Sequence, residues 1–263
     1  MKVFGLLFAP IRLFLFLIHV VDGLLITLTI FRFFNWHTRQ NFIRIWSRIL
    51  LILLGVRLKI DQPPVSKPMR GMLVSNHTSW IDIFVTNAVQ PVRFIAKSEI
   101  KKWPVLGTLV SSVGTLYVER KNRHAISQTN QEITASAKNG DLVGLYPEGT
   151  TTDGTHILPF KSNLFQPAID NEMHIYPLGV TYTQNGRYTP HAAYAGDTSL
   201  VSSLWQIASS GGITAHARFG TIIPAAQYNT RQDLAKATQD AIARLLGQHI
   251  IAEEVYAQIQ TGV

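Results

Sequence analysis

The chain contains no cysteine and few charged side chains, and both shortages limit what it can do. Charged residues make up only 15% of its 263 residues, against roughly 25% in an ordinary globular domain. The missing cysteine excludes a disulfide framework, a thiolate metal site and a cysteine nucleophile. It is also consistent with a reducing compartment. Any catalytic group must therefore come from other side chains.

The charges that are present are strongly one-sided. Net charge is +8 and the isoelectric point is near 9.8, which favours an acidic partner such as nucleic acid, anionic lipid or an acidic carrier protein. Mean hydropathy is +0.13, which is atypical of a soluble protein that binds nucleic acid. A basic and apolar chain instead indicates an anionic phospholipid membrane. We therefore expect a membrane partner and no nucleic acid.

Several familiar catalytic motifs are also missing. No G-x-S-x-G is present, which excludes a hydrolase-type nucleophile elbow, and no G-x-G-x-x-G follows a strand to support a dinucleotide site. Gly144 and Gly149 have the spacing of a phosphate-binding P-loop, but Thr150 stands where that loop needs lysine. The 9 histidines form no H-E-x-x-H pair, so no metal site is indicated.

Long apolar runs are concentrated at the N-terminus, where charged residues interrupt them. Residues 3–34 are almost wholly apolar, but Arg12, Asp22 and Arg32 divide them. No charge-free run reaches the roughly 18–20 residues of a clean membrane-spanning helix, and an aspartate inside a span is costly. One N-terminal span and a segment lying on the membrane both stay open.

A second apolar block, from Phe42 to Ile60, predicts an amphipathic helix with Arg44 and Arg48 one turn apart. Two helices joined by a short turn would make residues 1–62 a membrane-associating hairpin, with basic side chains among the lipid headgroups. The alternative is a helix pair buried on the protein core. The proline-rich stretch 61–68 then marks a boundary.

Residues 63–263 alternate between short apolar runs and longer helical patterns, which is typical of an α/β domain. We predict an α/β fold with a single mixed, largely buried sheet flanked by helices and preceded by the N-terminal two-helix hairpin. The predicted strands are Met72–Ser75, Val92–Ala96, Gly114–Val118, Leu142–Tyr146, Ile175–Tyr182 and Ile213–Phe219. The predicted helices lie near Ile81–Ala88, Ile100–Ser111, His124–Lys138, Asn163–Ile169, Ser199–Ala208 and Arg231–Leu246.

The stretch Asn76-His77-Thr78-Ser79-Trp80-Ile81-Asp82 follows the first of these strands and opens a helix. Ser79 is the expected N-cap, with Asp82 in the first turn. On one regular helix, His77 and Asp82 would lie about 140° apart and could not meet. If the two cooperate, the histidine must therefore lie in the turn before the helix. The alternative is that Asp82 only favours the helix dipole and that His77 is a loop residue.

Further polar segments follow other predicted strands, where an α/β sheet commonly places its reaction centre. Glu119 and Arg120 end one strand, and arginine can hold a phosphate with two parallel hydrogen bonds. The segment Pro147-Glu148-Gly149-Thr150 follows another strand, and its glycine lets a ligand approach the backbone. We expect Glu148 at the rim of the site. Phe160-Lys161 and the proline-containing strand Ile175-Tyr176-Pro177-Leu178 complete the set.

Taken in order, N-H-x4-D, G-x-x-Y-V-E-R, Y-P-E-G-T and the apolar-proline strand resemble the glycerolipid acyltransferase family of 1-acylglycerol-3-phosphate acyltransferases. The resemblance covers about residues 71–182, and the N-terminal hairpin is similar to that of bacterial members. It implies acyl transfer from a thioester, acyl-CoA or acyl carrier protein, to a lysophospholipid hydroxyl, with no cofactor. Localisation would be the cytoplasmic face of the inner membrane.

The same resemblance implies roles for individual residues. His77 would be the general base and Asp82 would hold it. Acceptor-binding residues would be Arg120, Glu148, Gly149, Thr150, Lys97 and Lys161, with backbone amides near Gly149 stabilising the oxyanion and Glu148 either holding the headgroup or ordering its loop. Asn76, Glu119 and Pro147 would support the site.

Two departures from the family pattern leave the acceptor open. Thr151 stands where arginine commonly follows E-G-T, and Lys161-Ser162-Asn163 stands where K-x-G is frequent. A lyso-ornithine lipid or another lysophospholipid is therefore an alternative acceptor. The alternative of another class is a peripheral lipid-binding protein without catalysis, for which residues 1–60 would suffice.

Overall fold

A computed structural model describes residues 2–64, 69–103, 106–118, 123–251 and 255. Its helices are α1 Lys2–Thr29, α2 Trp36–Leu53, α3 Asp82–Val89, α4 Leu106–Ser112, α5 Arg123–Lys138, α6 Gln166–Asp170, α7 Leu200–Ser209 and α8 Arg231–Leu246. Its strands are β1 Val56–Gln62, β2 Gly71–Ser75, β3 Arg93–Lys97, β4 Leu116–Val118, β5 Leu142–Leu145, β6 His156–Ile157, β7 His174–Gln184, β8 Arg187–Tyr188, β9 Ile213–Phe219, β10 Ile223–Pro224 and β11 His249–Ile250.

The main sheet is mixed, and in the described ranges its strands follow the order β1-β9-β7-β2-β5-β3-β4. Strands β7, β2, β5, β3 and β4 are parallel to one another. Strand β9 is antiparallel to β7, and β1 is parallel to β9. The carboxyl ends of β2, β5 and β7 therefore meet at one edge of the sheet. The predicted α/β class with a mixed sheet flanked by helices is confirmed; β6 and β11 form a small separate pair.

Strand β2 lies in the middle of the main sheet, and helices cover both of its faces. All of its residues are buried, as expected of an apolar strand in a parallel region. Leu73 packs in the core cluster that contains residues of α2 and α3. Met72 and Val74 pack in the opposite cluster, which contains residues of α5 and α8. This two-residue period fixes which face each side chain covers.

The second N-terminal helix is shorter than predicted. It ends at Leu53, and Gly55 then adopts a left-handed φ of +77°, which glycine adopts readily at a helix C-terminus. The following residues form β1 and pair with β9. The helix predicted as far as Ile60 is wrong beyond Leu53, because Val56 to Ile60 alternate between apolar and basic side chains with the period of a strand. These residues belong to the sheet, although they precede the boundary expected at residue 62.

The helix predicted from Ile100 to Ser111 is also divided. A 3₁₀ turn occupies Ser98–Lys102, and α4 begins only at Leu106. Strand β4 covers only the end of the predicted Gly114–Val118 run, because Gly114 takes a left-handed φ of +77°. The remaining predicted helices and strands agree with the structure to within a few residues at their ends.

The N-terminal helices form the predicted hairpin, which packs on the α/β domain. His19 and Trp46 stack at 4.7 Å between ring centroids and exchange hydrogen bonds with each other's backbone carbonyls. The guanidinium of Arg12 donates to the Ala208 carbonyl of α7 at 2.7 Å. Within Gly5–Thr29 of α1, the most apolar window has a mean hydropathy of 2.1, and only 11% of it is buried. By length and composition, this helix could cross a membrane.

Candidate active site

The turn between β2 and α3 is held by a carboxylate that reaches backwards. Asp82 Oδ2 accepts hydrogen bonds from the backbone N–H groups of Thr78 at 2.7 Å and Ser79 at 2.8 Å. The predicted Ser79 cap is wrong, because the residue preceding the helix is Ile81 and no side chain caps it. The Asp82 carboxylate satisfies N–H groups ahead of the helix instead.

The same oxygen of Asp82 also binds the imidazole of His77. The Nδ1–Oδ2 distance is 2.9 Å, and the side chain of His77 is 18% exposed whereas that of Asp82 is fully buried. The histidine therefore lies before the helix, in the position that helix geometry required. Because Oδ2 is the acceptor, Nδ1 carries the hydrogen of the neutral ring and Nε2 is the nitrogen able to accept a proton.

Tyr182 completes the surroundings of Asp82, and sequence reasoning missed it. Its hydroxyl donates to Asp82 Oδ1 at 2.5 Å, and the side chain is only 2% exposed. Burial, reinforced by the negative charge of Asp82, raises the pKa of Tyr182 well above its ordinary value, so the hydroxyl remains a donor. A tyrosine in a buried strand needs a partner for its hydroxyl. The sequence therefore indicates that Tyr182 has a partner. It does not indicate which one, because the pairing of β7 with β2 cannot be read from the sequence.

Tyr146 forms a platform for the imidazole. Its ring stacks on His77 with 4.2 Å between centroids and 12° between planes. Its hydroxyl is hydrogen-bonded to that of Thr86 at 3.1 Å. Burial raises the pKa of Tyr146 well above its ordinary value. The sequence motif contains this tyrosine, but only the folded chain assigns it a contact with His77.

Asn76 joins the turn to the neighbouring strand β7. Its amide nitrogen donates to the carbonyl of Val180 at 2.9 Å, and its amide oxygen accepts from the N–H of Val180 at 2.8 Å. The side chain is 3% exposed, so these bonds replace water completely. They are the contacts that a supporting role requires.

Glu148 is not at the rim of the site, as the sequence had suggested, but is only 1% exposed. Its Oε1 accepts from the backbone N–H of His77 at 2.6 Å, and its Oε2 from that of Leu158 at 2.9 Å. Burial raises the pKa of Glu148 to about 8, although the two N–H groups oppose the rise. Of the two roles expected for this residue, the contacts favour ordering of the loops.

The loop after β5 also contains other predicted residues. Gly149 has a φ of +76°, and its N–H donates to the Tyr146 carbonyl at 3.2 Å, so this amide closes a turn and an oxyanion donor must come from a neighbour. Thr150 follows it and is half-buried. The Lys161 N–H donates to the Pro147 carbonyl at 3.0 Å, which holds that exposed lysine beside the loop.

The structure does not describe the side chains of the remaining predicted site residues. Glu119 and Arg120 lie outside the described residues, as does the side chain of Lys97 at the end of β3. No group of three or more histidine, aspartate or glutamate side chains able to hold a metal ion occurs in the part of the chain that the structure describes.

A second loop, from the 3₁₀ turn Pro190–Ala192 to Gly196, also contacts the site. The Tyr194 N–H donates to the Thr78 carbonyl at 2.9 Å. The hydroxyl of Thr151 donates to the Tyr194 carbonyl, and the Thr152 N–H donates to the carbonyl of His77 at 2.9 Å. The backbone around the histidine is thus fixed from two loops, which is the arrangement that preorganised catalytic groups need.

The family model described as Acyltransferase matches residues 59–181. The chain is 35% identical to a 1-acyl-sn-glycerol-3-phosphate acyltransferase of Neisseria meningitidis, over 74% of this chain and 77% of that protein. It is also 35% identical to a lyso-ornithine lipid O-acyltransferase of Brucella abortus, over 84% of this chain and 86% of that protein.

A solved structure is similar in fold. The crystal structure of the 1-acyl-sn-glycerophosphate acyltransferase from Thermotoga maritima has a TM-score of 0.67 and 17% sequence identity. The alignment covers 94% of this chain and 97% of that one. At this identity, the match supports the shared fold from the N-terminal helices through the α/β domain.

Proposed function

Because this chain belongs to the acyltransferase family that includes 1-acyl-sn-glycerol-3-phosphate and lyso-ornithine lipid acyltransferases, we propose that it acylates 1-acylglycerol-3-phosphate to phosphatidic acid. The acyl donor is a thioester, either acyl-CoA or acyl carrier protein. The observation that carries the proposal is the partly exposed His77 imidazole, bonded through Nδ1 to the buried Asp82.

In the proposed mechanism, His77 Nε2 takes the proton from the acceptor hydroxyl while that oxygen attacks the thioester carbonyl. The tetrahedral intermediate collapses, the carbon–sulfur bond breaks, and the imidazolium returns the proton to the leaving thiolate. Asp82 keeps the ring in the required tautomer and stabilises the imidazolium. The acceptor hydroxyl attacks directly, so the mechanism uses no protein nucleophile and suits a chain without cysteine.

Replacing the base tests the mechanism. We expect His77→Ala to lower acyl transfer by at least the roughly 10²–10⁴-fold typical of general base catalysis. Turnover should be measured on folded, membrane-bound protein with a labelled acyl donor. Wild-type turnover by His77→Ala would disprove the role.

Asp82→Asn separates charge from geometry. The three donors around Oδ2, from His77, Thr78 and Ser79, favour the amide oxygen at that position. The amide NH₂ would then face the Tyr182 hydroxyl, which can accept. We therefore expect a folded variant that keeps the tautomer, loses the stabilisation of the imidazolium, and retains more activity than His77→Ala.

The acceptor is tested by offering a panel of lysolipids to the purified protein. Each lysolipid is paired with labelled acyl-CoA and with labelled acyl carrier protein, and the products are resolved by mass. We expect phosphatidic acid to be the main product. Exclusive acylation of a lyso-ornithine lipid would replace the proposed acceptor but keep the chemistry, and no product with any pair would favour a non-catalytic lipid-binding protein.

One observation supports the lyso-ornithine alternative. Thr151 occupies the position where the family commonly has an arginine, and its hydroxyl is engaged by the Tyr194 carbonyl. A threonine cannot hold a phosphate as a guanidinium does. With Thr151 there, the phosphate of the proposed acceptor depends on Arg120, Lys97 or Lys161.

The protein is membrane-associated, as the apolar helix α1 and its lipid-modifying relatives indicate. We place it on the cytoplasmic face of the inner membrane, where thioester donors are available. Anionic lipids would attract its basic surplus. The hairpin would let the enzyme take lysolipid from the leaflet and return product to it.

A further inference from the structure

Helix α7 presents apolar side chains to solvent although it lies far along the chain from the N-terminal hairpin. Val201 is 77% exposed and Trp205 is 44% exposed, and they lie on the same face one helical turn apart. The opposite face contains Ser203 and Ile207, which are completely buried. No charged residue occurs between Leu200 and Ser209, so the exposed face could enter lipid at little electrostatic cost.

This helix is packed directly against α1. A Cβ on Gly5 would lie 2.4 Å from the Ser209 carbonyl oxygen, so the two backbones touch. Further along α1, Arg12 donates to the last turn of α7 at the Ala208 carbonyl, where a cation is favoured by the helix dipole. The two helices therefore pack against each other at two positions along α1.

The contact between the two helices is bordered by exposed apolar residues of α1. Leu6, Phe8 and Ile11 stand next to the packed positions and are 53%, 45% and 54% exposed. Val201 and Trp205 lie on the helix that packs against this part of α1. Exposed apolar side chains on two helices that pack together indicate an interaction site.

We propose that α7 is a second lipid-contacting element, which lies in the membrane interface beside α1 with Val201 and Trp205 among the lipids. Its packing against the apolar helix of a membrane-associated enzyme commits this face to lipid. Tryptophan is enriched at the level of the headgroups, where its ring has apolar surroundings and its N–H is solvated. The proposal holds whichever lysolipid is acylated.

The packed helices α1 and α7 also contact the candidate active site, through Trp80. Trp80, in the turn that contains His77, donates through its indole N–H to the Ser203 hydroxyl of α7 at 3.0 Å. Its ring meets Phe16 of α1 edge-on, with 6.4 Å between centroids. If α7 lies in the membrane interface, it would therefore hold the turn that contains His77 at the surface from which lysolipid enters.

The experiment uses the natural absence of cysteine. Val201→Cys gives the full-length chain a single thiol for an environment-sensitive fluorophore, at a position exposed enough to leave packing intact. The labelled protein is reconstituted into vesicles of phosphatidylethanolamine and phosphatidylglycerol. Emission wavelength, quenching by nitroxide lipids and quenching by aqueous iodide are then measured.

Two matched variants serve as references. Phe14→Cys labels the exposed face of α1, where the side chain is 63% exposed, and should report lipid. Lys236→Cys labels α8, where the side chain is 77% exposed, and should report water. We expect the Val201 label to behave like the Phe14 label, with emission at shorter wavelength, strong nitroxide quenching and iodide quenching several-fold weaker than at Lys236.

Two results would overturn the proposal. In the first, the Val201 label behaves like the Lys236 label while the Phe14 label reports lipid, so that α1 enters the membrane alone. In the second, the Val201 label is shielded from iodide without nitroxide quenching, and the shielding disappears when the protein is diluted into excess lipid. That outcome would assign the face to a second copy of the chain.

Discussion

The buried Glu148 offers a prediction whose size and sign both follow from its position. Burial raises its pKa from the usual 4.5 to about 8. Between these values, the unfolded chain has released the proton while the folded chain keeps it, so folding stability falls as pH rises. Over the whole interval, the loss amounts to about 5 kcal/mol. We therefore expect Glu148 to make the enzyme less stable at pH 8 than at pH 5.

Glu148→Gln removes this titration. The amide offers one acceptor oxygen where the carboxyl group offers two, so the N–H of His77 or of Leu158 loses its partner, at a cost of about 1–3 kcal/mol. At pH 5, the variant should be the less stable protein. Its deficit should shrink or reverse as pH approaches 8, because only the wild type loses stability there through this group.

The assay is unfolding by heat or denaturant in one detergent, at steps from pH 5 to pH 8.5. The variant is compared with the wild type at each pH, so that contributions from histidines cancel. Glu132→Gln is the control, because Glu132 is exposed on α5 and its replacement should leave the pH dependence unchanged. A constant gap between Glu148→Gln and wild type would refute the reasoning and mean that the two N–H bonds keep the carboxylate ionised throughout.

Three further changes test other contacts. Tyr182→Phe keeps the buried ring but removes the donor to Asp82, a hydrogen bond to a charged group worth about 1.5–3 kcal/mol. We expect kcat to fall about 10- to 100-fold, and an unchanged kcat would remove the tyrosine from the mechanism. For Asp61, burial opposes the shift, but hydrogen bonds and charges of the neighbouring histidine and lysine outweigh it and lower the pKa. The stabilisation by Asp61 should therefore be present above its ordinary pKa and lost on acidification below it. In that pH range, Asp61→Asn should weaken the dependence of the melting temperature on pH. Gly71 has a φ of +117°, and a Cβ there would lie 2.4 Å from the His174 carbonyl oxygen, so Gly71→Ala should lower stability by more than about 1–3 kcal/mol; unfolding at the wild-type midpoint would contradict the strained backbone.

Local geometry accounts for what sequence reasoning could predict about the site. The angle between His77 and Asp82 on an ideal helix required the histidine to precede the helix, and it does. The alternation of apolar and polar segments was enough for the α/β class, because each strand of the parallel region is a short apolar run. The roles of His77 and Asp82 themselves stay predictions.

Contacts between distant segments account for what was missed. Tyr182 reaches Asp82 only because β7 lies beside β2, and no local pattern encodes that pairing. A carboxylate in a loop is usually solvated, which is why the sequence places Glu148 at the rim. In the structure it is buried and accepts hydrogen bonds from backbone N–H groups of two separate segments. Residues 56–60 follow α2 directly and prolong its apolar block, but their two-residue alternation, completed by pairing with β9, makes them a strand.

The reversal of chain direction between β7 and β9 has a consequence for how the enzyme meets its substrate. Because β9 runs against β7, it begins where β7 ends, and Ala215 near its start pairs with Tyr182. Helix α7, which leads into β9, is thereby brought to the catalytic edge. Had β9 been parallel to β7, its start would lie at the opposite edge, a separation of about 23 Å for a strand of 7 residues. If α7 lies in lipid as proposed, the strand reversal places the lipid-contacting face and the candidate active site at the same end of the molecule. An insoluble acceptor would then reach His77 without crossing water.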